Sequence, residues 1–329
     1  MRLITNPVLN GHVSLDTIDE FEKTILADGL VEPLKPFPRL MVDLLYVIYL
    51  MLSKLCISFV KATKPEFRSN PLNDKYHLFS VIFCLDIRKI YAYMLSTSHN
   101  RSVYLFDGWP SKHDKILDFF KYLKIDYLFI SSLQSAEIFG SKLGFDRVHW
   151  IPEGINPEEY KHYAFEDRTI DVLALGRKYD LYHEAIVDRL RERKIVYLYE
   201  KVKGQVIFPS RDEFLEGIAR SKISICVPCN ITHPERSGFL EHMTNRYLQS
   251  IVSKCLVVGH APKEMVELFG YNPVVEIDMN NPAQQLESIL TNYSDYFPLI
   301  EKNYEQVLKN HTWRNRWNQI KEILQSSNQ

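Results

Sequence analysis

The chain has no excess of charge of either sign: 40 lysines and arginines stand against 41 aspartates and glutamates, a net charge of -1. Without a basic face there is no electrostatic footprint for generic nucleic-acid binding, and a polyanionic partner is disfavoured. Cysteine is scarce and odd in number, five in all (Cys56, Cys84, Cys226, Cys229 and Cys255). Scattered through apolar, strand-like contexts, they form no disulfide framework and point to a reducing compartment. Cys226 and Cys229 make a C-x-x-C, but it closes the run ISICVPC instead of opening a helix, and no second pair completes a zinc site. Neither redox nor metal chemistry is expected there. No G-x-G-x-x-G follows a predicted first strand, which argues against a dinucleotide-dependent oxidoreductase. Internal repeats and low-complexity segments are missing as well. The N-terminus carries no charged leader with a short apolar run and a small-residue cleavage site, so no export is expected.

Long apolar runs are confined to one stretch, Leu40 to Val60 (LMVDLLYVIYLMLSKLCISFV). It approaches the roughly 20 residues that span a bilayer, but Asp43 and Lys54 interrupt it, each costing roughly 2.5 to 3.5 kcal/mol at the bilayer centre. A core helix is the expected reading. The alternative is a helix lying in a membrane interface with Arg39, Lys61 and Lys64 at the headgroups, which would place a cytoplasmic protein against the inner face of the plasma membrane.

What is present is ample core. Apolar residues make up 46% and aromatics 12% of 329 residues, enough for two domains of about 150 residues each. Strand-like and helical patterns alternate, the mark of a parallel sheet with crossover helices. Strands are expected at 77–85, 102–107, 127–132 and 148–152. After a polar link from Asn156 to Arg168 a second series is expected at 171–176, 195–199, 223–228, 255–259 and 273–278. A long helical stretch from Pro298 to Leu324 carries Trp313 and Trp317, four residues apart on one helix face and expected to be packing anchors. Two such α/β halves place a ligand cleft at their carboxyl edges.

Two segments carry chemistry suited to that cleft. DVLALGRK ends a strand at Gly176, Arg177 and Lys178 just before a helix: the glycine admits close backbone approach, the helix start offers N–H groups, and the cations suit a diphosphate. THPERSGFLEHMTNRYLQ places Ser237 and Gly238 in a loop, Thr244 or Asn245 at a helix start, Arg246 beside it, and Glu241 and Gln249 eight positions apart. On a helix that interval is a little over two turns, so both could grip ribose or sugar hydroxyls from one cleft, although a loop could bring them together by another route. A diphosphate over the helix start would gain backbone donors.

These segments resemble the GT-B glycosyltransferases, in particular the bacterial sugar-nucleotide-dependent group 1 type. WIPEGINPEEY is similar to that family's interdomain V-I-P-N-G-I-D signature, and DVLALGR to the first strand of its donor domain. FPSRDEFLEGIARSKISICVPC, which contains Arg211, is similar to the stretch with its base-binding loop. TNRYLQSIVSKCLVVG is similar to its R-x-x-E-x-x-x-x-G element. The likeness covers most of residues 100 to 325 and little of 1 to 75. It departs from the family at Gln249, where the second glutamate of E-x7-E falls, at Lys254 for a glycine, and at Phe106 for the histidine of a T-L-H-D-x-W-P segment, here LFDGWP.

The resemblance implies two Rossmann-like domains facing across a cleft, with an acceptor side at 1–155, a donor domain at 156–310 and a C-terminal crossover helix at 311–329 returning toward the N-terminal domain. It implies transfer of a sugar from a nucleotide-diphosphate sugar to an acceptor hydroxyl, with retention favoured, in bacterial surface polysaccharide or glycolipid synthesis. Asp107 would be the acceptor-side base and Glu241 its partner in catalysis, while Gly176, Arg177, Lys178, Arg211, Ser237, Gly238, Thr244, Asn245, Arg246 and Gln249 would hold the donor. No D-x-D carboxylate pair occurs in a suitable loop, so neither a metal nor any other cofactor is expected beside the co-substrate. Phe106 and Gln249 motivate the alternative, a non-catalytic GT-B-like module that binds a nucleotide sugar or glycan.

Overall fold

The computed structural model describes residues 1–4, 16–34, 77–83, 100–123, 125–176, 178–202 and 205–326. The apolar stretch at 40–60, Cys56, Cys84 and Arg177 lie outside the described residues. Among the described residues, eleven strands form two sheets. The first has the order β2-β1-β3-β4-β5-β6, from β1 (Arg2–Ile4), β2 (Glu32–Leu34), β3 (His77–Phe83), β4 (Asn100–Phe106), β5 (Tyr127–Ile130) and β6 (Val148–Trp150). The second has the order β11-β10-β9-β7-β8, from β7 (Ile170–Ala174), β8 (Tyr197–Leu198), β9 (Ser221–Cys226), β10 (Leu256–Gly259) and β11 (Val275–Glu276). Every pairing is parallel.

Parallel strands need both faces covered, and the period of two along each strand divides the residues between the faces. In β4, Val103 and Leu105 pack with Ile116, Phe120 and Phe139 of α2 (His113–Leu123) and α3 (Leu133–Leu143). Tyr104 and Phe106 face the other way, into a cluster with Phe21 of α1 (Asp16–Ala27) and with Trp313, Trp317 and Ile320 of α12 (Trp313–Ser326). The second sheet is sandwiched in the same way. Val172, Ile223 and Val258 pack on α4 (Asp180–Glu192) and α10 (Pro282–Thr291). Leu173, Cys226 and Val257 pack on α5 (Arg211–Ala219), α8 (Asn245–Val252) and α9 (Lys263–Phe269). Two single-turn helices, α6 (Cys229–Thr232) and α7 (Pro234–Ser237), follow β9.

The expected strands fall where the apolar runs are, but β1 and β2 were not foreseen, since three residues are too few to show a period. The long C-terminal helical stretch is two helices, α11 (Phe297–Asn310) and α12, parted at His311 and Thr312. There the chain crosses back to the first sheet, where Ile155 and Thr312 form an isolated parallel bridge. Gly154 makes the crossing possible: a Cβ on it would lie 2.8 Å from the Trp313 backbone nitrogen. Both indoles are packing anchors as expected. Trp313 stacks on Phe21 at 4.4 Å, Trp317 meets Phe79 edge-on at 5.4 Å, and the Trp317 Nε1–H donates to Asp28. Trp317→Ala should therefore lower stability by about 3–5 kcal/mol, measured by denaturant unfolding, and the loss should appear in the transition of the first domain.

Candidate functional site at the domain interface

The carboxyl ends of the two sheets face each other. On the first domain they deliver Asp107 after β4, Ser131 after β5 and Glu153 after β6; on the second they deliver Gly176 after β7, Val227 after β9 and His260 after β10. The second sheet reverses its order between β7 and β9, the switch point at which open α/β sheets take their ligands. Gly176 sits there with φ +78°, and a Cβ on it would fall 2.9 Å from the Cδ of Arg246. Arg246 spans the switch point, donating from Nη1 to the Leu175 carbonyl at 2.7 Å and from Nη2 to the Val227 carbonyl at 3.3 Å. Lys178 is near, 3.4 Å from the Asp180 carboxylate and 5.9 Å from the centre of the Tyr199 ring. Gly176, Lys178 and Arg246 thus share one edge.

Glu241 and Gln249 do not share a cleft. The helix begins only at Asn245, so the eight-residue interval is not helical throughout and its two ends diverge. Glu241 accepts from His260 at 3.0 Å. Gln249 is buried behind the helix and donates to the Tyr160 hydroxyl at 3.2 Å, while that hydroxyl donates to Glu20 at 2.7 Å. Arg211 is drawn into the same cluster, pairing with Asp16 at 3.1 Å, Glu20 at 2.6 Å and Glu159 at 3.0 Å. It ties α5 to α1 across the domains and to the link. Ser237 is buried and donates to the His233 carbonyl, and Gly238 faces Pro110 across the interface at φ +57°. The Oγ1 of Thr244 and the Oδ1 of Asn245 are buried without a partner among the described residues.

The start of α8, expected to meet a diphosphate, meets a carboxylate of the chain itself. The Asn245 main chain lies against the Glu153 side chain, and the Asn245 side chain donates to the Gly154 carbonyl and to Thr17, each at 2.8 Å. A second anion at that point would face Glu153 directly. A cavity of about 830 Å³ lies elsewhere, between the link and α5, bordered by Glu159, Tyr160, Phe208 and Gly217. Glu158, Asp212, Glu213 and Glu216 also line it, which makes it a poor seat for phosphate.

At the centre of the interface is His242, 2% exposed. Its Nδ1 is 2.7 Å from Glu264, and its Nε2 is 3.1 Å from Glu153, 3.6 Å from Asp107 and 3.2 Å from the Ser131 hydroxyl. Burial works against a charged ring, but the Glu264 and Glu153 carboxylates outweigh it and hold the imidazole well above the usual histidine range. Burial pushes the Glu153 carboxyl up against the bonds it receives from His242 and Asn245. Glu264 also takes the Met243 N–H at 2.6 Å and the Leu133 N–H at the start of α3 at 2.9 Å, where the helix dipole favours a negative charge.

Ser131, His242 and Glu264 have the spacing of a hydrolytic triad, but Nε2 also faces Glu153 and Asp107, which favour the doubly protonated ring, a form that cannot take a proton from Ser131. The nearest ligand atoms of Asp107, Glu153 and His242 lie within 4.8 Å of one another. The group is a buried ion cluster.

Sequence reasoning reached Asp107 but not His242, Glu153, Glu264, Ser131 or Glu20. The signal for Glu153 was its place in PEGIN, where the interdomain signature has asparagine. Phe106, in the position of the family's histidine, points into the core and packs edge-on against Trp313 at 5.8 Å. The imidazole beside Asp107 comes instead from the opposite domain.

No protein-family model matches the sequence, and no curated protein matches it. Among solved structures, the chain is similar to the N-terminal domain of trehalose-6-phosphate phosphatase from Candida albicans, with a TM-score of 0.57 and 11% identity over 98% of this chain and 96% of that one. It is similar to Alr3699/HepE of Anabaena in complex with UDP, with a TM-score of 0.56 and 11% identity over 99% and 98%. A glycosyltransferase from Rickettsia africae ESF-5 aligns with a TM-score of 0.51 and 12% identity over 98% of both chains. The fold is GT-B. Within the GT-B frame, α12 is the element that returns to the N-terminal domain, and among the described residues no helix is long and apolar enough to cross a membrane.

Gln249→Glu would restore the E-x7-E pattern at the cost of the Tyr160 contact, because the one hydroxyl proton of Tyr160 already goes to Glu20. The new carboxylate would face an oxygen lone pair in a buried site. Stability should fall by about 1–3 kcal/mol, and the loss should grow as pH rises above the carboxyl range, measured by denaturant midpoints at several pH values.

Proposed function

We propose that the chain is a glycosyltransferase that moves a sugar from a nucleotide-diphosphate donor to an acceptor hydroxyl. The observation that carries this reading is Arg246 laid across the β7–β9 switch point over Gly176, a fixed cation where the fold takes ligands. Departure of a nucleoside diphosphate develops negative charge, and Arg246 and Lys178 are near enough to the switch point to stabilise it. Preorganised cations of this kind do the work that a D-x-D-bound metal would otherwise do. The likeness in fold to HepE, solved with UDP and with UDP-glucose, supports a nucleotide sugar as the donor.

The acceptor approaches from the first domain, where Asp107 is the base candidate at the end of β4. Glu241, held by His260 at the rim, is placed to contact the sugar. Retention of configuration, an acceptor from surface polysaccharide or glycolipid synthesis, and work at the inner face of a membrane belong to the same proposal and rest on the family resemblance. A second reading, a module that binds a nucleotide sugar without transferring it, is favoured by Gln249: its amide is engaged with Tyr160 and not with the cleft.

Isothermal titration with a panel of nucleoside diphosphates and their sugars tests the donor site. Binding is expected, and Arg246→Ala should weaken it roughly 10- to 100-fold, the worth of charge-assisted hydrogen bonds. No binding of any nucleoside diphosphate by the folded protein would end the proposal. Donor hydrolysis that Arg246→Ala abolishes would exclude the binding-only reading.

A further inference from the structure

The His242 cluster draws its members from both halves of the molecule. Asp107, Ser131 and the α3 start at Leu133 belong to the first domain, Glu153 lies where the chain leaves it, and His242, Met243 and Glu264 belong to the second. Separating the domains would pull the imidazolium away from Glu153 and Asp107 and the Glu264 carboxylate away from α3. Closing them around a neutral ring would force three carboxylates together in a site where Asp107, Glu153 and Glu264 are 8%, 4% and 4% exposed. We propose that this cluster is a proton-operated latch between the domains, closed when His242 carries both ring protons and released when it loses one.

The groups that face the ring fix the direction of the response. Glu264 of α9, Glu153 after β6 and Asp107 after β4 are the carboxylates around it. From α12, Arg316 binds the Glu153 main-chain carbonyl, and Tyr104 of β4 donates to the Ile151 carbonyl beside it. Opening returns His242 and Glu153 to water and to their ordinary ranges. His242 and Glu153 are both raised in the closed form, so that form binds more protons than the open one. Closure is therefore full below the ordinary histidine range and weakens as pH rises through the raised value of the ring. The Arg211 cluster on the other side of α8 has the same sign, because burial raises Glu20 and Asp16 as well.

Small-angle scattering of the full chain between pH 6 and pH 10 tests the latch without reference to any reaction. The wild type is expected near the ~20 Å radius of gyration of a compact chain of this length at the acid end, with a reversible increase toward the alkaline end. His242→Gln should be expanded already at neutral pH and nearly insensitive to pH. Glu153→Gln, which removes one of the carboxylates that hold the ring charged, should move the expansion of the wild type to lower pH. If His242→Gln fails to fold by circular dichroism, Glu153→Gln decides alone. A wild-type radius that does not change with pH, or an expansion that Glu153→Gln leaves at the same pH, would overturn the proposal.

Discussion

A single buried imidazolium sets the relation between the two halves of this molecule. His242 is out of water and touches carboxylates from three separate segments of chain, so its charge is tolerable only while those segments are assembled around it. Removing one partner from such a group strands the others, a penalty of about 3–5 kcal/mol, whereas the intact group is close to neutral in net energy. The consequence is specificity of arrangement more than stability. Few relative positions of the domains satisfy Glu153, Glu264 and the N-terminus of α3 at once, and the GT-B cleft is defined by the one that does.

The sheets were legible because each domain is built from parallel strands buried on both faces, and burial writes itself as uninterrupted apolar runs. ISICVP and CLVVG could hardly be anything else. Strands β1 and β2 were illegible for the same reason: they pair at an edge over three residues each and contribute too little core to leave a pattern. The break at His311 was hidden because both α11 and α12 are amphipathic. What meets the break is Gly154, more than 150 positions earlier, and contact at that distance has no local signature.

The site was legible only where it obeys a local rule. Gly176 was found as a strand-to-helix turn and Arg246 as a cation at a helix start, and both stand at the switch point. His242 was passed over although it follows Glu241 directly, because an isolated histidine beside a flagged acid has no spacing to recognise. Its partners Glu153 and Glu264 lie 89 and 22 positions away. Spacing misled in the opposite direction at Gln249. Eight residues is a helical interval only if the helix has begun, and here it begins at Asn245, after Glu241 has turned toward His260.

Phe106 and His242 together show where the imidazole beside Asp107 comes from. A histidine at position 106 would need a polar neighbour, yet that side chain points into a wall of Tyr104 and Trp313, where an aromatic ring packs well and an imidazole would be stranded. Phenylalanine suits the core, and the loop after it, with Asp107 at φ +47°, turns the acid toward the second domain. An imidazole supplied from there reaches Asp107 only when the domains meet. The acid of the first domain therefore has its imidazole neighbour only where the two domains meet.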